Sequence, residues 1–147
     1  MHVDAPLTSS LPQPPQLHLS TEQDLIVLRL EGDYTLDTAK YVQQFVEQSG
    51  AVHGYRLNLI DVHKAGTITR DARRYLRERR QSSKVPSAVA VVGASFAVRT
   101  LAHAVMRALQ LLTNAYVGVD FFADEITARA WIDTQRNQFR TILSIKS

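Results

Sequence analysis

The stretch from Val85 to Ile132 most constrains what this chain can fold into. It reads Ser87-Ala-Val-Ala-Val-Val92, the turn Gly93-Ala-Ser95, a long apolar segment, Tyr116-Val-Gly-Val-Asp-Phe-Phe122, and then Asp124-Glu-Ile-Thr-Ala-Arg-Ala-Trp-Ile132. Short β-branched runs that alternate with helical periodicity are the pattern of parallel strands joined by crossover helices. Any site on such a sheet belongs at the loops leaving the carboxyl ends of the parallel strands. The pattern fixes a place for chemistry without supplying a reaction.

The upstream half extends the same alternation. Leu17-His-Leu-Ser20 and Asp24-Leu-Ile-Val-Leu-Arg-Leu-Glu31 read as two strands of an antiparallel hairpin. Ile26, Leu28 and Leu30 fall on one face, with Arg29 and Glu31 on the other. Gly32-Asp-Tyr34 is expected to break the second strand. A helix then starts at a Thr35 or Asp37 cap, buries Leu36, Ala39, Val42, Phe45 and Val46, and ends at Gly50. Arg56 to Val62 is the third strand, delivering Asp61, His63 and Lys64 to a loop, Ala65 to Thr69. Thr69 caps a basic helix whose inner side is Ala72, Tyr75 and Leu76. Pro86 introduces an apolar fourth strand, Ser95 to Leu112 forms a helix, and Asp124 caps the last one. The predicted order is β-β-α-β-α-β-α-β-α, a mixed sheet of about five strands with four helices.

Residues 1–16 hold Pro6, Pro12, Pro14 and Pro15 and too little apolar surface to order themselves, so they read as a flexible tail. Pro12-Gln-Pro-Pro15 also has the form of a polyproline ligand. The domain proper is 17–138, with 139–147 an extension that Phe139, Ile142, Leu143 and Ile145 could dock. Cysteine is absent, which removes disulfides and thiolate chemistry and suits a reducing, cytoplasmic setting. Met1 to Pro6 shows no basic-then-apolar leader. Arg99, His103 and Arg107 interrupt the most apolar helix, so a membrane span is not expected.

The net charge of +3 is unevenly placed. Between Thr69 and Lys84 stand Arg70, Arg73, Arg74, Arg77, Arg79, Arg80 and Lys84 against Asp71 and Glu78, which sums to +5 and leaves −2 for the rest. Arg70, Arg73, Arg74 and Arg77 make a candidate face for an acidic partner. Nucleic acid is disfavoured, because no aromatic side chains interleave the arginines for stacking.

Residues from about His18 to Asp133 resemble the SpoIIAA-like proteins, a STAS/Sec14-type group within the STAS (sulfate transporter and anti-sigma factor antagonist) superfamily. The matching stretches are Leu57-Asn-Leu-Ile-Asp-Val62, Ile68-Thr-Arg-Asp-Ala-Arg-Arg-Tyr75, Val91-Val-Gly-Ala-Ser-Phe-Ala97, Phe121-Phe-Ala-Asp-Glu125 and Ala128-Arg-Ala-Trp-Ile132. The resemblance implies regulatory or ligand-binding work more than catalysis. Switch members of the superfamily carry Asp-Ser-Ser-Gly with a phosphorylated serine after the third strand. Here that loop reads Lys64-Ala-Gly-Thr-Ile-Thr-Arg-Asp71, where only Thr67 or Thr69 could accept phosphate, and capping explains Thr69 without it.

Other constellations are weaker. Gly93-Ala-Ser95 between strand and helix has the context of a hydrolase elbow, but no histidine follows His103, and Ser95 suits a helix cap. With one glycine, the turn matches neither a Walker loop nor a dinucleotide fingerprint. His2, His18, His53, His63 and His103 show no metal spacing. The expected function is therefore a non-catalytic regulatory or scaffolding module acting through protein contacts, without cofactor or metal. A carrier of a small apolar or acidic ligand, as the Sec14 side of the resemblance implies, is the alternative. Its rim would be Asp61, His63, Lys64, Thr67, Thr69, Gly93, Ser95, Arg99 and Asp120. The helix from Ser95 to Leu112 has more apolar surface than one sheet can cover, which points to a homodimer through Val98, Ala102, Met106 and Leu109.

Overall fold

Strand β1 (Leu17–Glu22) and strand β2 (Leu25–Tyr34) form the antiparallel hairpin, with Leu17 opposite Leu30 and Leu19 opposite Leu28. The computed structural model describes residues 7–82, 85–100, 103 and 117–146. Strand β3 (Arg56–Ile68) then lies parallel to β2, β4 (Ser87–Val92) parallel to β3, and β5 (Val117–Phe122) parallel to β4. The strand order is β1-β2-β3-β4-β5, so each crossover connects neighbours. Four helices cover this mixed five-stranded sheet: α1 (Leu36–His53), α2 (Arg70–Ser82), α3 (helical at 96–100 and 103) and α4 (Glu125–Lys146). None of the described helices is long and apolar enough to cross a membrane.

The period of two assigns each strand residue to a face. Ile26, Leu28 and Leu30 of β2 pack with Ala39, Val42 and Phe45 of α1 and with Ala72 of α2. On the other face, Leu57, Leu59, Ala88, Ala90 and Val92 pack beneath Ala128, Ile132 and Phe139 of α4. Strand β4 is flanked on both sides, as its run of apolar residues requires.

Three boundaries differ from the sequence-based expectation. Gly32 does not end β2, which continues to Tyr34. Its backbone at φ +127° accommodates a register slip instead, the kind of bulge that lets a strand bend and go on. Nor does Gly50 end α1. It is buried in the helix, and Gly54, at φ +81°, supplies the left-handed cap, its N–H donating to the Gly50 carbonyl at 2.9 Å. Finally, no loop follows Val62. Strand β3 runs on to Ile68, paired with the extension of β2 through Lys64 opposite Glu31 and Ile68 opposite Tyr34. Two register slips absorb the extra residues of β3.

The caps agree with the sequence. The Thr35 side chain accepts from the Thr38 N–H, Thr69 Oγ1 from the Ala72 N–H (3.4 Å), Ser95 Oγ from the Val98 N–H (3.3 Å), and Asp124 Oδ1 from the Thr127 N–H (2.8 Å). Helix α4 passes unbroken through residue 139, and Phe139 is 2% exposed. Upstream of β1, the Thr8 N–H donates to Gln48 Oε1 of α1 at 3.0 Å, Ser9 and Gln44 are hydrogen-bonded, and Pro14 is buried.

Candidate functional site

The carboxyl ends of β2, β3, β4 and β5 share one rim, because these four strands run parallel. Asp61 stands where the common register ends, opposite Val92 of β4 and Arg29 of β2. Just beyond it the first slip of β3 lets His63 fold back on its own strand. The His63 N–H donates to Asp61 Oδ1 (3.0 Å), and the ring Nδ1 lies 2.7 Å from the same oxygen. Burial acts to raise the Asp61 carboxyl. The His63 N–H and imidazole, with the charge of Arg29, outweigh it and hold the carboxyl below its usual range. An ionised carboxylate can only accept, so the ring Nδ1 is the donor to Asp61 Oδ1.

The His63 ring rests on the turn after β4. Gly93 there has φ +83°, and a Cβ on it would come within 2.5 Å of the ring. Glycine is therefore required twice, by conformation and by contact. The Gly93 N–H donates to the Phe122 carbonyl (3.1 Å), tying the end of β4 to that of β5. The Arg99 Nε donates to the Ala94 carbonyl (3.2 Å), folding that side chain onto the same turn. The His103 ring lies 4.9 Å from that of Phe121, tilted against it by 59°.

The structure thus brings Asp61, His63 and Gly93 into contact and sets Ser95 and Arg99 on the adjoining turn. It does not gather the other proposed rim residues. Asp120 pairs with Ala90, two residues before the strand ends, and accepts the Phe121 N–H (2.8 Å). Lys64 and Thr67 lie on the extension of β3, where the Thr67 N–H donates to Asp33 Oδ1 (2.9 Å), and Thr69 begins α2. Val98 is 45% exposed, while Ala102, Met106 and Leu109 lie outside the described residues.

Helix α2 presents a second kind of site. At 100° per residue, Arg70, Arg73, Arg74 and Arg77 fall within one arc of about 100°, opposite Ala72, Tyr75 and Leu76. All four arginines are exposed, and Ala72 is fully buried. Among the described residues no carboxylate lies within ion-pair distance of any of the four. Other arginines of the chain are engaged within it. Arg79 faces Glu47 (3.9 Å) and covers the Tyr75 ring. Arg129 grips Glu22 with two bonds of 2.8 Å and Glu125 with one of 3.0 Å.

One cluster is absent from the sequence-based expectation. Asp24, its side chain 2% exposed, accepts from Arg136 through Nε and a terminal nitrogen, both at 2.8 Å, and from the Tyr55 hydroxyl at 2.6 Å. Arg140 donates to that hydroxyl at 3.2 Å. Burial would raise the Asp24 carboxyl, but hydrogen bonds from Arg136 and Tyr55, with the charges of Arg136 and Arg140, leave it below normal. Burial, then the bond to Asp24, pushes the Tyr55 hydroxyl up. The available signal was Arg129, Asp133, Arg136 and Arg140 at helical spacings of four, three and four, a stripe that reads as solvated until a partner strand is known. A depression of about 460 Å³ beside this cluster is lined by Glu22, Gln23, Asp133 and the three arginines, without any rim residue. The cluster pins α4 to the hairpin and has a structural office.

No protein-family model matches the sequence, and no curated protein matches it. Among solved structures, an uncharacterised DUF3478-family protein with a SpoIIAA-like fold from Shewanella loihica PV-4 is 19% identical. That match covers 85% of this chain and 98% of that one, with a TM-score of 0.46. The anti-sigma factor antagonist SpoIIAA in its unphosphorylated form is 9% identical over 82% of this chain and 97% of its own, with a TM-score of 0.51. The likeness at these identities is one of fold: the chain has the SpoIIAA-like, STAS-type α/β fold.

Proposed function

We propose that the protein is a non-catalytic, cytoplasmic regulatory module that acts through protein–protein contacts, with the arginine stripe of α2 as its contact surface. The observation that carries this reading is the contrast among arginines. Those of α4 are held by Glu22, Asp24 and Glu125, whereas Arg70, Arg73, Arg74 and Arg77 face solvent together. Like charges that close repel one another, and the attraction of the Asp71 carboxylate to Arg74 offsets only part of that repulsion. An acidic partner surface relieves it, and steers the encounter as well. The same fold serving an anti-sigma factor antagonist agrees with a regulatory role.

The test is retention on immobilised polyglutamate in low salt, comparing the native chain with Arg73→Glu/Arg74→Glu/Arg77→Glu. The reading expects the native chain to be retained and the triple variant to pass through. Equal behaviour of the two refutes it.

A small-ligand carrier is the second reading, favoured by the contact of Asp61 and His63 with the Gly93 turn on the strand-end rim. Native mass spectrometry of freshly purified protein separates the two readings, since only a carrier retains a small molecule.

A further inference from the structure

Two buried polar groups lie apart from both the rim and the arginine stripe, where the end of α1 packs on β3. Asn58 stands on the face of β3 that α1 covers, since Leu57 and Leu59 on either side of it pack beneath α4. Its neighbours in register are Ile26 and Val89, both apolar. Ser49 lies on the buried side of α1 next to Gly50, and a Cβ on Gly50 would come within 2.7 Å of the Arg56 side chain. Arg56 and Asn58 are two residues apart on one strand and share a face, so Ser49 and Gly50 close over that pair. Ser49 is 1% exposed and Asn58 8%. Among the described residues, Ser49 Oγ and Asn58 Oδ1 have no hydrogen-bond partner.

Leaving a buried hydroxyl and a buried amide oxygen unbonded is costly, and native folds nearly always supply each with a partner. A single water molecule serves both. It donates to Asn58 Oδ1 and shares a hydrogen bond with the Ser49 hydroxyl, which can donate or accept. A larger ligand does not fit, because α1 lies so close to the strand that one methyl added at Gly50 would strike Arg56. We infer that Ser49 and Asn58 hold an internal water that belongs to the fold and joins α1 to β3. It accounts for polar side chains at two positions where the pattern asks for apolar ones. Ser49 continues the stripe of Val42, Phe45 and Val46, and Asn58 precedes Ile60 on the same strand face.

Thermal melts of the full chain, with oxygen-17 relaxation dispersion of the solvent to count long-lived bound waters, test this. Ser49→Ala and Asn58→Leu each withdraw one partner from the water and strand the other group. Each is expected to lower the melting temperature by roughly 3 °C or more. For Ser49→Ala that loss comes despite the better helix propensity of alanine. The double variant Ser49→Ala/Asn58→Leu makes the site apolar throughout. It is expected to melt above either single variant, and to hold one long-lived water fewer than the native chain. Should Asn58→Leu fail to fold by circular dichroism, Asn58→Val, a side chain suited to a central strand, takes its place. Were the two groups simply unbonded, Ser49→Ala would remove a penalty and melt higher than the native chain. That rise, losses that merely add in the double variant, or an unchanged water count overturns the inference.

Discussion

Asp24 has almost no contact with water, yet its carboxyl is held below the usual carboxylate range by Arg136, Tyr55 and Arg140. A carboxyl depressed in the folded state adds stability above its unfolded pKa and loses it as pH falls through the folded one. The contribution of Asp24 is therefore full at neutral pH and declines below about pH 4. Asp24→Asn keeps the shape but takes the buried anion from Arg136, which retains only the exposed Asp133, and from Arg140, at a cost of about 3 kcal/mol. Thermal melts across pH check both points: the variant is expected to melt lower at neutral pH, and with a shallower acid-side slope. A variant as stable as the native chain at neutral pH contradicts this account. The partnership itself was not legible in the sequence. Asp24 reads as the first residue of the second strand, and nothing local says that a residue 112 positions away will reach it.

At the level of elements, caps were legible and the far ends of strands were not. Thr35, Thr69, Ser95 and Asp124 cap helices because the chemistry is local to one turn. The end of α1 was misread because Gly50 and Gly54 are both credible stops. Tertiary packing chose between them: the Arg56 side chain covers Gly50 and leaves no room for a Cβ, so that glycine serves close packing and Gly54 the cap. The extension of β3 escaped the pattern because its pairing slips twice, and a slipped strand loses its period of two. The β4–α3 turn offers a test of this kind of reading. Gly93→Ala should cost more than the roughly 1 kcal/mol of a left-handed alanine, because the His63 ring lies in the way of the new methyl. Combining it with His63→Ala should return part of the loss, leaving the conformational cost alone. Strict additivity in denaturant unfolding would show that the ring and the turn do not meet as described.

For the molecule as a whole, the fold class and strand alternation were legible because they follow from hydrophobic period and crossover length. Charge placement was legible too, as a sum of +5 on one segment. What the sequence withheld was which arginines the fold would use. The structure commits Arg129 and Arg136 to acids of the hairpin and leaves the α2 stripe outward. That division is the central claim, and amide NMR tests it most directly. Titrating the isotope-labelled chain with polyglutamate in low salt should shift the amides of residues 69–79 and leave those of α4 near Asp24 unmoved. Shifts centred on Asp61, His63 and the Gly93 turn, or none along α2, would contradict the assignment of α2 as the contact surface.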